Sequence, residues 1–187
     1  MLVQDFLQNS AERFPNKTAL ICDGQRLTYA EIEARSNQVA HALIDHGVRR
    51  GDRVVVYLPN SVEAAIAIFA ILKSAGTFVV VNPTTKREKL TYILNNCRAA
   101  ALFASARDAH LAAEAGEAVP SLQFTVLSSS GGKSANEGNG QMGENRMGGP
   151  PCPRKDRYKL VRWDELLHAT PASRPPCPTI DQDLACL

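Results

Sequence analysis

The chain is poor in the features that would place it in several common classes. No apolar run approaches membrane length: the most apolar helical stretch, Ala64 to Leu72, is nine residues and ends at Lys73. The start, Met1-Leu2-Val3-Gln4-Asp5-Phe6, shows no basic leader ahead of an apolar core, which argues against a secretory signal. Net charge is only +2, with no broad basic face, so nucleic acid is not expected as a partner. The densest basic run, Arg154 to Lys159, sits beside glycines and prolines and reads as a solvated loop. The five cysteines (22, 97, 152, 177 and 186) are odd in number, widely spaced and lack a Cys-x-x-Cys pair. That excludes a disulfide frame or zinc site and points to reduced thiols in a cytoplasmic protein.

What is present is an alternation of helix and strand. With 44% hydrophobic and 21% charged residues over 187, the chain can build one core of good size. Apolar positions Val3, Phe6, Leu7 and Ala11 predict a short helix stopped by Pro15. Asp23-Gly24 between Ala19–Cys22 and Arg26–Thr28 predicts a hairpin. Thr28-x-x-Glu31 is a capping box opening a long helix. Its stripe of Tyr29, Ile32, Val39, Leu43 and Ile44 faces inward, Glu33, Arg35, Asn37 and Asp45 face outward, and Gly47 caps it.

The same grammar recurs at Asn60-x-x-Glu63, opening a helix from Val62 to Leu72 that Gly76 closes, and at Thr85-x-x-Glu88. The first of these is apolar nearly all round and should be buried on more than one side. Strands without polar alternation are expected near 54–58, 77–81, 100–104 and 122–127, with a helix over 105–115. This order predicts an α/β fold, a parallel, doubly wound sheet flanked by helices.

The character changes at Ser128. Residues 128–158 hold seven of the twelve glycines and little to bury, so they read as a disordered Gly/Pro-rich insertion after an N-terminal α/β subdomain of residues 1–127. None of those glycines lies between a strand and a helix, as a phosphate loop requires. Order should return around Trp163, from Leu160 to Leu167, within a short final segment, 159–187.

Chemistry-bearing residues are sparse. His41, His46, His110 and His168 are scattered, with no His-x-x-x-His, paired carboxylates or Ser/His/Asp grouping. Asp52 and Arg53 read as a turn and a surface charge pair. Lys73 reads as a complement to its helix dipole. No residue is assigned a catalytic, cofactor-binding or metal-ligating role.

Three segments together carry a resemblance: Leu27-Thr28-Tyr29-Ala30-Glu31-Ile32, Gly51-Asp52-Arg53-Val54-Val55-Val56-Tyr57-Leu58-Pro59-Asn60, and Leu72-Lys73-Ser74-Ala75-Gly76-Thr77-Phe78-Val79-Val80-Val81-Asn82-Pro83. In this order and spacing they resemble the N-terminal part of the AMP-forming acyl-CoA synthetases and related adenylate-forming ligases. The resemblance implies ATP-dependent activation of a small carboxylic acid to an acyl-adenylate, with Mg2+, followed by transfer to a thiol, usually that of coenzyme A. It also implies that Asp183-Leu184-Ala185-Cys186-Leu187 is the strand feeding the phosphate-binding loop. The family's phosphate, adenine and metal motifs and its C-terminal lysine have no match in these residues. The expectation is therefore a fragment, inactive alone, that associates with the remainder of the enzyme. A nucleotide-binding or interaction module without chemistry, or the remnant of a truncated gene, are the alternatives.

Overall fold

Helix and strand alternate because each apolar strand must be covered on two faces, and the chain can reach the next parallel strand only by crossing over. The computed structural model describes residues 2–128, 159–176 and 185–186. Helix α1 (Val3–Arg13) leads into a hairpin of β1 (Thr18–Cys22) and β2 (Gln25–Thr28). Asp23 and Gly24 turn it with φ of 48° and 78°, the paired positive values a tight antiparallel turn needs. There follow α2 (Tyr29–Asp45), β3 (Arg53–Tyr57), α3 (Val62–Lys73), β4 (Thr77–Val80), α4 (Arg87–Asn96) and β5 (Ala101–Ser105). A 3-10 turn (Ala106–Asp108), α5 (Ala109–Glu117), β6 (Phe124–Ser128), β7 (Lys159–Arg162) and α6 (Trp163–Ala169) complete the described order.

The five strands β3 to β7 form one parallel sheet in the order β4-β3-β5-β6-β7. Helices cover both faces, so the fold is the expected doubly wound one. Alternate strand residues supply the two cores. Val54, Val56, Phe103, Val126 and Val161 pack under α2, α3 and α6, while Val55, Tyr57, Leu102 and Ala104 pack under α4 and α5. Trp163 meets Phe103 edge-on, with centroids 5.9 Å apart, and fastens α6 to the first core.

Several boundaries differ from the sequence reading, each for a local reason. The strand expected at 122–127 is β6, Phe124–Ser128, because a turn from Val119 to Leu122 delays it. Ser128 therefore belongs to the sheet, and the rest of the Gly/Pro-rich 128–158 segment lies outside the described residues. The helix expected over 105–115 begins with the 3-10 turn, capped by Ser105 Oγ accepting from Arg107 N. The Thr28–Glu31 box is present in both directions. The second cap is Ser61, not Asn60: its Oγ accepts from Ala64 N at 3.2 Å. The third helix starts from Lys86 with no side-chain cap, and Thr85 instead closes a turn on Asn82 O.

Three helices end in one geometry, with paired bonds from the two residues after the cap to the last turn. The left-handed position is taken by Gly47 (φ 94°), Ala75 (φ 61°) and Arg98 (φ 50°). Gly76, expected to close α3, follows the left-handed residue Ala75. A Cβ there would lie 3.1 Å from Ile71 Cγ2 and 3.3 Å from Asp52 O, so it is close approach that favours glycine. Arg53 is also not half of a surface pair. Its guanidinium donates to Cys97 O, Gly51 O and Arg98 O, tying the amino edge of the sheet to the end of α4.

Candidate functional site

In open α/β sheets, ligands bind beyond the carboxyl ends of the strands, where strand order reverses. Here β3 connects outward to β4, and β5 returns to the other side of β3, so the reversal lies between Tyr57 and Ser105. The loops that rim this point are 58–61, 81–86 and 105–108. Tyr57 is the post that holds them. Its hydroxyl lies 2.7 Å from Pro83 O and 2.8 Å from Thr85 O, so one phenol proton is shared between two carbonyls. Burial, with the nearby Asp108 charge adding, raises its pKa and keeps that proton in place.

Asn82 folds the next loop on itself, its Oδ1 accepting from Thr84 N at 2.9 Å and from Thr84 Oγ at 2.8 Å. A cavity of about 470 Å3 opens beside it, lined by Asn82, Thr84, Thr85, Lys86, Glu88 and Lys89. At the end of β6, Ser128 is buried and pairs in register with Ser105, and its Oγ has no hydrogen-bond partner among the described residues. Among the described residues, no three His, Cys, Asp or Glu side chains are placed to hold a metal ion. The edge offers hydroxyls, an amide and two lysines. That is chemistry for holding a polar ligand.

The second polar centre lies between α2 and α3, and the sequence reading missed it. Lys73, read as a complement to its helix dipole, is 2% exposed. Its Nζ lies 2.7 Å from Glu33 Oε2 and donates to Ser36 Oγ and Asn37 Oδ1, both at 2.7 Å. Glu33 and Asn37, expected to point outward, therefore face α3. Desolvation lowers the Lys73 pKa, Glu33 opposes that, and the Arg174 charge adds to it. The signal in the sequence was the 33, 36, 37 spacing, which puts three polar groups on one side of α2, toward a helix that is otherwise apolar. The scattered histidines stay scattered. His41 contacts Ser173 O, and His46 packs on Phe124 with Nδ1 on Ala42 O. Cys22, Cys97 and Cys186 are free thiols.

Of the expected final strand, 183–187, only Ala185 and Cys186 are among the described residues. Phe78 N donates to Ala185 O at 3.0 Å, and Cys186 bridges Phe78 in parallel at the outer edge of β4. The model of the family described as "AMP-binding enzyme" matches residues 7–182. This chain belongs to that family. It is 36% identical over 100 residues to a medium/long-chain-fatty-acid–CoA/3-oxocholest-4-en-26-oate–CoA ligase of Mycobacterium marinum, covering 54% of this chain and 18% of the relative. It is also 36% identical over 96 residues to tyrocidine synthase 2 of Brevibacillus parabrevis, covering 51% of this chain and 3% of that one. Among solved structures, the anthranilate CoA ligase AuaEII in complex with anthranoyl-AMP aligns over all of this chain and 31% of its own, with a TM-score of 0.79 at 22% identity. The chain thus spans about a third of that structure and less than a fifth of the curated relatives named above. No helix among the described residues is long and apolar enough to cross a membrane.

Proposed function

We propose that this chain is the amino-terminal part of an AMP-forming acyl-CoA ligase. In such an enzyme a carboxylate oxygen attacks the α-phosphorus of ATP and pyrophosphate leaves; a thiol sulfur then takes the acyl group and AMP leaves. The observation that carries the reading is the 36% identity over 100 residues to a fatty-acid–CoA ligase, joined to a family match that runs to residue 182. Coenzyme A is the acceptor we favour and a fatty or aromatic acid the substrate. The reduced thiols support a cytoplasmic setting. Residues 1–127 supply one wall of the crevice, and Lys159–Arg162 join the same sheet as β7.

The residues described do not by themselves fit ATP with Mg2+. Phosphoryl chemistry needs donors and a metal arranged around phosphorus. At this edge Asn82 and Ser105 already serve their own loops, and the carboxylates are not grouped. The chain is therefore a scaffold awaiting the rest of the site, and its partner is the remainder of a ligase.

A pyrophosphate-release assay tests this. Purified chain with ATP, Mg2+, coenzyme A and a panel of fatty and aromatic acids should stay at background. The same chain joined to the remaining two thirds of a related ligase should show acid-dependent release. Turnover by the chain alone would overturn the scaffold reading, and a folded but inactive fusion would count against the ligase assignment.

A further inference from the structure

Beyond α6 the chain runs as a proline-rich strap, 170–176, across α1 and α2. The contacts that hold it are mostly to its backbone. Gln38 Nε2 donates to Leu167 O at the end of α6 at 2.8 Å and to Thr170 O of the strap at 3.4 Å, Asn37 Nδ2 donates to Ala172 O at 2.9 Å, and His41 Nε2 lies 2.9 Å from Ser173 O. Arg174 reaches the other way, to Gln8 Oε1 and Asp5 Oδ1 on α1, and Pro175 is buried. Side chains of α2 thus grip an extended segment by its carbonyls, which fixes its path with little dependence on its side chains.

Asn37 is the hinge of this grip. An amide side chain offers an acceptor on one side and donors on the other. Its Oδ1 accepts from Lys73 Nζ, and that choice leaves Nδ2 to face the strap. The other Lys73 contacts, Glu33 and Ser36, hold the ammonium in place. A continuous line therefore runs Glu33, Lys73, Asn37, Ala172, from the space between two helices to the strap. With a hydrophobic residue at 73, the Asn37 amide would have no buried cation to orient it and no reason to present a donor outward.

We infer that Lys73 is a positioning residue: by orienting the Asn37 amide it latches the 170–176 strap onto α2, and the latch sets where the following chain meets the edge of β4. The second half rests on the placement of Ala185 and Cys186 beside Phe78, at the end of the helix–strand unit that begins with α3 and contains Lys73 itself. The inference does not require the ligase reading, and its test does not read activity.

The test is 15N relaxation and amide exchange on the full chain. In the parent, Ala172, Ser173 and Arg174 should show order parameters near those of rigid backbone, about 0.85. Asn37→Asp is the decisive variant, since it keeps an acceptor for Lys73 but removes the donor to Ala172. It should drop the strap below about 0.6 while β3 and β5 stay rigid, and should speed exchange of the Phe78 amide at least tenfold. Lys73→Met should do the same while keeping Asn37 itself. Lys89→Met, a change on α4 away from the strap, should leave both readouts at parent values. A strap already mobile in the parent, or one that stays rigid in Asn37→Asp with the Phe78 amide still protected, would overturn the inference. Should Lys73→Met fail to fold, the Asn37→Asp result decides alone.

Discussion

The two faces of the sheet solve the same burial problem differently. Under α4 and α5 the packing is made of Leu90, Leu94 and Leu102 with small residues, Ala99, Ala104, Ala112 and Ala115, and it holds no buried charged side chain among the described residues. Under α2 and α3 the core is larger and more varied, and the Lys73 ammonium lies between the two helices at its border. Apolar contact is tolerant of sliding, whereas a lysine with three oriented acceptors is satisfied in one arrangement only. The difference teaches that α4 and α5 need only cover the sheet, while α2 and α3 must also hold a fixed register toward the strap.

The strongest way to break that contrast is to cut into both cores from one strand. Phe103→Ala should cost about 3–5 kcal/mol and the adjacent Leu102→Ala about 2–5 kcal/mol in denaturant unfolding, since both are fully buried on opposite faces. A negligible loss for either would mean that its face is not packed as described. Phe69, whose all-round apolar helix suggested a comparable cost, is only partly buried and should fall below that range.

The ion pair gives the next largest effect. Glu33→Leu alone should destabilise by about 3 kcal/mol, because Lys73 would stay buried without its charge partner. Glu33→Leu with Lys73→Met should recover most of that loss in the same titration. A double variant as unstable as the single one would show that the polar contacts stabilise the helix pair beyond their effect on register.

Smaller changes sharpen the helix ends. Thr28→Ala and Ser61→Ala should each cost about 1 kcal/mol, whereas Thr85→Ala should stay within about 0.5 kcal/mol because its side chain caps nothing. Ala75→Gly should raise stability by up to about 1 kcal/mol by removing left-handed strain, and Gly47→Ala should lower it, its new Cβ landing 2.9 Å from Gln123 Oε1. Equal costs at Thr28 and Thr85 would restore the sequence-based cap.

The smallest effect is in pH. The backbone N–H of Thr28, helped by its hydroxyl, lowers the Glu31 pKa below 4.5. A carboxyl with a lowered folded pKa contributes above its unfolded value and loses that contribution as pH falls through the folded one. The stability gap between parent and Glu31→Gln should therefore be open at neutral pH and close in acid. A gap that persists to the lowest pH would assign it to something other than ionisation.

Much of the fold was legible because it depends on local pattern. The Val54–Val56 run, the Asp23-Gly24 turn and the Thr28–Glu31 box each specify their element within a few residues. Caps shifted by one position at Ser61 and Lys86 because the first helical residue is set by where the preceding strand releases the chain, which no dipeptide encodes. The register of Lys73 was hidden for a different reason. An amphipathic stripe divides α2 into an apolar and a polar side, and it places Glu33 and Asn37 with the polar side. Only the partner helix, about forty residues on, turns part of that side inward. At the crevice, Tyr57 read simply as one residue of the 54–58 strand, since its two carbonyl partners lie on a loop far along the chain.

The grip of Arg53 on three carbonyls at the amino edge has a consequence of another kind. A guanidinium's planar fork serves several acceptors at once in one fixed geometry. A lysine at position 53 would retain the charge but lack the fork, leaving some of the carbonyls from Gly51, Cys97 and Arg98 to water and the end of α4 free to fray.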